Sequence, residues 1–329
     1  TNVGQSAEAS FTTTAAGPTV WFTEASTWTT AIGASPTVRA NSASYVADLG
    51  LNASGMGLNY DVWMSPIWET TGSDPLVTVT ITNTNATTKA NIEAAGFNVL
   101  RIPTGATPST TADRPIIFYN SQYVWELYKA TRTDATTWSA LNMRRWDRTT
   151  GGLANGGLGK GVIPTYDSYG GASVCGTSSV LQGTVTKEEA DKGVINHAIN
   201  FGYWGDRKPP APSSGHWGEY PCRQFVAGIS SRTWAMTIGY RLQLDPTIDV
   251  DSLDIIPFHK AILKAAQTYV IIFEENFGVG SNGFKLESHF GRSWSWGSLV
   301  TGFPGALLQN NLRLINQICA SGETGCPNP

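Results

Sequence analysis

Alternation of apolar and polar residues marks several segments of the chain as strands. In "LVTVTITNT" (76–84), apolar residues alternate with threonine at the period of two that a half-buried strand requires. "RPIIFYN" (114–120) and "YVWELYKA" (123–130) carry a similar signal, and the turn residues between them predict a hairpin around Asn120. "RTWAMTIGYRLQL" (232–244) predicts a further long strand. Strands of this kind are typical of a β-sandwich or jelly roll.

Three other segments carry helical signals. Thr186 and Glu189 have the spacing of a capping box, which predicts a helix that runs from there through Ile199. Pro257 begins a second predicted helix, "PFHKAILKAAQTYV", and "GALLQNNLRLINQICA" (305–320) predicts a third. Their narrow apolar stripes suit helices that pack on a sheet. The predicted fold is therefore mainly β, a β-sandwich or jelly roll with about three covering α-helices.

Residues 1–40 differ in composition from the rest of the chain. Residues 1–40 are rich in Thr, Ala and Ser but contain Trp21 and Trp28. Flexible linkers seldom carry large aromatic side chains, because exposed indole is costly in water. We therefore expect residues 1–40 to form an extended arm packed on the body. Residues 41–329 are predicted to form a single β-sandwich-type domain with helical insertions, in which the Gly-rich segment 151–171 is a long loop.

Composition and charge indicate an extracellular protein. Charged residues make up 14% of the chain, its net charge is −3, and it has no basic block, which argues against nucleic acid and anionic membranes as partners. The longest apolar stretches, such as "YVIIF" (269–273), are too short to cross a bilayer. Because the chain begins at "TNVGQSAEAS", without a charged and apolar leader, we expect the mature form of a secreted protein.

The four cysteines favour an oxidising compartment. Cys319 and Cys326 enclose a short polar loop that a disulfide could close, which leaves Cys175 and Cys222 as a second pair. Four cysteines permit three connectivities, and the sequence does not select one. A zinc site is the competing interpretation, but no CxxC pair is present, so disulfides are favoured.

Six segments occur in an order that resembles a known family. They are "VWELYKATRTDATTWSA", "TKEEADKGVINHAI", "PCRQFVAG", "YRLQLDPTIDVDSL", "AILKAAQTYVIIFEE" and "LLQNNLRLINQICASGETGC". The chain, from about residue 35 to its end, resembles a largely uncharacterised family of secreted actinobacterial-type β-rich proteins. Because members of that family are sometimes joined to carbohydrate-associated modules, the resemblance implies a secreted, polymer-active role. Family members have Thr-Asp-Gly after the arginine, whereas Arg223 precedes "QFVAG", so no role of that aspartate carries over.

Glycoside hydrolysis requires two carboxyl groups roughly 5–10 Å apart, one of them kept protonated. Glu126 lies in a predicted strand between Trp125 and Leu127, where loss of solvent would raise its pKa. Asp167 lies beside Tyr166 in the Gly-rich segment. We predict Glu126 and Asp167 as the pair, although no spacing in the sequence requires them to meet. The other carboxyl candidates are Asp206, Glu219, Glu274 and Glu275.

Cleavage by a polysaccharide lyase requires a base and a cation that neutralises a uronate carboxylate. His197 or Tyr166 is the candidate base and Arg223 the candidate cation, although Arg223 would equally suit a structural ion pair. On the predicted helix, His197 shares a face with the apolar Ala190 and Phe201, so its ring points inward. The favoured interpretation of His197 is therefore a buried, neutral imidazole that donates to a backbone carbonyl.

Two aromatic segments are candidates for substrate binding. "FGYWGDRKPPAPSSGHWGEYPCR" has the composition of a sugar-binding lip, which predicts Tyr203, Trp204 and Trp217 as contacts. In "SHFGRSWSW", Trp294 and Trp296 would share one side of a strand and could stack on sugar rings. The alternatives are a surface loop held by a disulfide for the first segment and ordinary core for the second.

These observations predict a secreted polysaccharide-degrading enzyme whose partner is an extracellular polysaccharide. A glycoside hydrolase is favoured over a polysaccharide lyase, and the competing class is a non-catalytic carbohydrate-binding or cell-surface protein. No cofactor is predicted, because no cofactor motif is present, and the acidic segment "LDPTIDVDSLD" lacks the spacing of a calcium loop. The absence of GxSxG argues against a serine nucleophile.

Overall fold

The computed structural model of the protein describes residues 21–22, 26–33, 35–51, 55–61, 64–149, 178–204, 219, 222, 231–277 and 282–316. Within them the strands are β1 (Gly57–Asn59), β2 (Ile67–Glu69), β3 (Leu76–Thr78), β4 (Thr80–Ile81), β5 (Val99–Arg101), β6 (Ile116–Tyr119), β7 (Tyr123–Tyr128), β8 (Thr131–Arg132), β9 (Trp138–Ala140), β10 (Asn142–Asp147), β11 (Ile199–Tyr203), β12 (Arg241–Leu244), β13 (Ile271–Glu275), β14 (Asn282–Lys285) and β15 (Leu312–Ile315). The helices are α1 (Ser42–Gly50), α2 (Ala86–Ala94), α3 (Lys187–Lys192), α4 (Pro257–Thr268) and α5 (Gly305–Asn310).

The largest sheet has six strands in the order β1-β14-β11-β13-β12-β15. It is mixed, because β1 runs parallel to β14 and β11 runs parallel to β13, while the other neighbours are antiparallel. One face buries Phe201, Phe273 and Phe284, whose ring centroids lie 6.2–6.3 Å apart around Phe201. The amphipathic helix α4, which begins at Pro257 as predicted, adds Phe258 to the same core. This burial of aromatic surface is the main stabilisation of the larger sheet.

A second sheet has the strand order β10-β7-β6-β2. The predicted hairpin is confirmed in β6 and β7, where the Asn120 side chain accepts hydrogen bonds from the backbone N–H groups of Gln122 and Tyr123 at 2.8 Å. Residues 76–84 are extended as predicted at β3 and β4, but these strands pair with different partners, β5 and β9. Two small sheets, β3-β5 and β4-β9-β8, result.

Three predicted elements are shorter in the structure than the sequence indicated. They are the helix that begins after Thr186, the helix predicted at 305–320 and the strand predicted at 232–244. Helix α3 ends at Lys192 because Gly193 takes a φ of 66°, the left-handed C-cap conformation that favours glycine. The third helix ends at Asn310, after which the alternating Leu312 and Leu314 enter the core from β15. Only residues 241–244 of the predicted long strand pair in the sheet.

The structure is a mixed α/β fold with more strands than helices among the residues described. The predicted β-sandwich or jelly roll is not confirmed, and parallel pairs such as β2 with β6 depart from the antiparallel pattern of those folds. Trp28 is fully buried against Ala198 and Ile272, as expected for a segment that packs on the body. The rest of the arm lies largely outside the described residues, so the arm and the single domain stay predictions. None of the described helices is long and apolar enough to span a membrane.

Candidate functional site

Several predicted site residues lie outside the part of the chain that the structure describes. They are Tyr166, Asp167, Cys175, Trp217, Arg223, Cys319 and Cys326. The pairing of Glu126 with Asp167, the role of Arg223 and the disulfide connectivity therefore stay predictions. Cys222 is described: it is fully buried, and it is not a free thiol.

Glu126 is completely buried in the middle of β7. Its Oε1 accepts hydrogen bonds from the Ser179 hydroxyl at 2.5 Å and from the Val180 backbone N–H at 2.8 Å. Burial raises the pKa of Glu126 to about 7, and the hydrogen bond from Ser179 opposes this rise. The predicted desolvation is thus confirmed. With no exposed surface, Glu126 holds the turn at residues 179–182 against the second sheet and does not face solvent.

The raised pKa of Glu126 makes stability pH-dependent. The native state binds this proton more tightly than the unfolded chain, so stability falls as pH rises from 4.5 towards 7 and the buried carboxyl ionises. Glu126→Gln keeps Oε1 as an acceptor and cannot ionise. We expect this variant to be more stable than wild type at pH 8, by about 1–2 kcal/mol, and not at pH 4. Urea unfolding at both pH values checks this; an equal difference at both would contradict it.

His197 is buried and carries a buried ion pair. It follows the end of α3 and does not lie on the helix, so the predicted helical position is wrong, whereas the predicted inward orientation is confirmed. Its Nδ1 lies 2.8 Å from the Ala198 carbonyl oxygen and its Nε2 lies 2.9 Å from Glu189 Oε1. Because a carbonyl oxygen and a carboxylate oxygen lie beside the two ring nitrogens, the surroundings of His197 match the two donors of an imidazolium. Burial alone lowers the pKa of His197, but the Glu189 carboxylate outweighs it and the net shift is upward. This environment favours the charged form of His197 over the predicted neutral form, while the predicted contact with a backbone carbonyl is present.

The predicted aromatic contacts divide between core and surface. Tyr203 is fully buried, and its hydroxyl donates to Asp48 Oδ2 at 2.6 Å. Trp296 is buried as well, and its ring is perpendicular to Trp294 at a centroid distance of 5.8 Å. Residues 288–296 do not form the expected strand, so the two indoles are not aligned for a sugar chain. Trp204 and Trp294 keep partly exposed rings.

A β-turn after β14 brings a histidine and an arginine together. The Arg292 N–H donates to the His289 carbonyl oxygen at 2.9 Å, which places the two Cα atoms within about 7 Å. Gly291, the third residue of the turn, has a φ of 72°, which a type II turn requires and which favours glycine. A Cβ at Gly291 would also lie 3.0 Å from the Thr107 Cβ and 3.3 Å from the Trp68 ring. The turn is therefore tightly specified by its glycine.

His289 has one ring nitrogen beside a carboxylate and the other one open. Its Nδ1 lies 3.4 Å from Asp61 Oδ1, and neither atom has a hydrogen-bond partner among the described residues. Nε2 of His289 makes no hydrogen bond there either, and the side chain is 33% exposed. The ring packs against Phe290 and Tyr60 at centroid distances of 5.5 and 5.7 Å. A carboxylate that orients an accessible imidazole is a common arrangement for a general base.

Arg292 is the cation of the same turn. Its Nη2 donates to Glu287 Oε1 at 3.1 Å, and its guanidinium carbon lies 4.5 Å from the Trp68 ring centroid. The Nε atom has no hydrogen-bond partner within the described residues. Burial raises the pKa of Glu287, and Arg292 opposes this rise. Arg292 is thus held by one ion pair and by its contact with the Trp68 ring.

Tyr119 and Glu69 lie at the ends of the parallel strands β6 and β2, where they are paired in register. Burial first, and then the charges of Glu69 and Glu287, raise the pKa of Tyr119 to about 12, while Arg292 opposes them. Tyr119 therefore stays protonated at neutral pH, within the field of both carboxylates. The group is called the His289–Arg292 site and consists of Asp61, Trp68, Tyr119, Glu287, His289 and Arg292.

The sequence did not indicate the members of this site. His289 and Arg292 belong to "SHFGRSWSW", a segment whose most prominent sequence feature is its two tryptophans. The short H-x-G-R pattern is compatible with a turn that carries a base and a cation, but it is a weak signal. Asp61 is distant in sequence and reaches His289 because β1 pairs with β14 in parallel.

No known family model matches this chain, and it matches no curated protein and no solved structure. Within the described ranges, no group of three or more His, Cys, Asp or Glu side chains could hold a metal ion. The His289–Arg292 site is therefore the basis for the function proposed for this protein.

Proposed function

We propose that this protein is a secreted polysaccharide lyase and that the His289–Arg292 site is its catalytic centre. The observation that carries the proposal is the β-turn that holds a partly exposed imidazole, with the Asp61 carboxylate 3.4 Å from its Nδ1, and an arginine three residues further along. A base and a carboxylate-neutralising cation are the two groups that β-elimination of a uronate requires. Low charge and four cysteines support secretion as part of the same proposal.

The reaction uses only groups of this chain. Nε2 of His289 takes the proton from the carbon next to the uronate carboxylate, and the electron pair moves towards that carboxylate, where Arg292 stabilises the added charge. The bond from the neighbouring carbon to the glycosidic oxygen then breaks, and a carbon–carbon double bond forms. The imidazolium returns its proton to the leaving oxygen. Trp68 holds the guanidinium in a fixed plane, which reduces the reorganisation this step needs.

Hydrolysis, the function that the sequence favoured, is the second candidate. The charges of Glu69 and Glu287 both raise the pKa of Tyr119, which makes these two carboxyl groups the candidates for an acid and a base. Burial raises the pKa of Glu287, as a general acid requires, while Glu69 is exposed. However, the two carboxyl oxygens of Glu287 already accept hydrogen bonds from Arg292 and from the Lys187 backbone N–H. They are therefore less available to protonate a leaving group. These contacts favour elimination over hydrolysis.

The test is a screen of the purified protein against uronate polymers, such as pectate and alginate, and neutral polymers, such as xylan and cellulose. Reducing ends and the ultraviolet absorbance of the new double bond are read together. If the protein acts by elimination, the reducing ends and the absorbance should both increase, and they should do so only with uronate polymers. Reducing ends without absorbance would overturn elimination in favour of hydrolysis by Glu69 and Glu287. Polymer retention without cleavage would favour a non-catalytic binding protein.

A further inference from the structure

Three aromatic rings form a partly exposed cluster on α1 and the segment before β12. The Tyr45 ring meets Trp234 edge-on at a centroid distance of 5.4 Å and Tyr240 at 5.6 Å. Trp234 is 36% exposed, and the two tyrosines are partly exposed. An indole left this far in water costs free energy unless a ligand covers it. We call this group the Trp234 cluster.

The rings of the Trp234 cluster are fixed in place. The Arg39 guanidinium lies 4.5 Å from the Tyr240 ring centroid and makes an ion pair with Glu219. One turn along α1 from Tyr45, Asp48 makes an ion pair with Arg232 at 3.1 Å. Rings held by such contacts lose little conformational freedom when a ligand stacks on them.

Charge indicates the kind of ligand. Both arginines beside the cluster are neutralised by a carboxylate, Arg39 by Glu219 and Arg232 by Asp48, so these pairs add no net charge. Exposed rings without excess charge beside them match the apolar face of a neutral sugar.

We infer that the Trp234 cluster is a non-catalytic binding surface for a neutral polysaccharide, with a hexose ring stacked on the Trp234 indole. It is separate from the His289–Arg292 site: Tyr240 precedes β12 and His289 follows β14, and these strands are three positions apart in the six-stranded sheet, about 14 Å. The inference holds whether or not the His289–Arg292 site cleaves a polymer.

The test measures retention of the full chain on insoluble cellulose, chitin and xylan. Wild type is expected to bind at least one of them, and Trp234→Leu to bind it about tenfold or more weakly. Trp234→Phe keeps a ring and should keep most of the binding. Tyr123→Leu, which removes a partly exposed ring from β7, is the matched control and should bind like wild type.

Three results would overturn the inference. They are a wild-type protein that binds none of the three polymers, a Trp234→Leu variant that binds as wild type does, and an equal loss in Tyr123→Leu. Circular dichroism and thermal unfolding establish that each variant is folded. Cleavage of soluble uronate polymers is measured in the same preparations and should be unchanged in Trp234→Leu. Failure of the proposed lyase activity would therefore be distinguishable from failure of this binding surface.

Discussion

His289→Ala is expected to lower kcat/KM on the cleaved polymer by roughly 10²–10⁴-fold, the usual contribution of a positioned general base. The side chain is partly exposed and makes no aligned hydrogen bond in the described residues, so its removal should leave the fold intact. The measurement is the initial rate of double-bond formation, with the thermal midpoint as the check on folding. Wild-type rates in a folded His289→Ala protein would eliminate the proposed mechanism.

Two further variants show whether a loss of activity comes from the missing base or from damage to the turn. Asp61→Asn retains a polar neighbour for Nδ1 but removes the carboxylate charge beside the ring, so its rate should fall by less than that of His289→Ala. Phe290→Leu alters the middle of the turn without removing base or cation and should keep most of the activity. A large, equal loss in all three variants would indicate damage to the turn and not loss of a base.

Local signals explain which parts of the fold could be predicted. The β6–β7 hairpin depends on alternation and on the Asn120 turn, both of which lie within a short stretch of sequence. The start of α3 depends on Thr186 and Glu189, whose capping box is present as predicted. The end of α3 was not predictable from the apolar pattern alone, because Phe201 pairs in β11 with two strands that are remote in sequence. Tertiary pairing overrode a helical pattern there.

The candidate site was less predictable from local sequence signals than the fold. The desolvation of Glu126 could be anticipated from its neighbours in a strand, although its full burial depends on the separate turn at residues 179–182. The contact of Asp61 with His289 results from parallel pairing of β1 and β14, which no spacing in the sequence encodes. Sequence patterns therefore indicated individual buried groups, whereas the combination of a base, its orienting acid and a cation required the folded chain.

His197→Ala should lower the free energy of unfolding by about 3–5 kcal/mol, because it leaves the Glu189 carboxylate buried without its counter-ion. The ion pair joins the segment before β11 to the capping box of α3, so its loss should also loosen the start of that helix. Polymer cleavage by the folded fraction should be unchanged, since His197 is buried and His289 carries the proposed chemistry. Urea unfolding of both proteins provides the measurement.

The pH dependence of this difference identifies the ion pair. The pKa of His197 is raised above its ordinary value of 6.5, so its contribution is complete below that pH and is lost as pH rises through the raised pKa. The pKa of Glu189 is lowered from 4.5, so its contribution is present above 4.5 and is lost as pH falls through the lowered pKa. The stability difference between wild type and His197→Ala should therefore be greatest between pH 4.5 and pH 6.5. A difference that is constant from pH 3 to pH 9 would mean that the cavity left by the ring, and not the charge on Glu189, causes the loss.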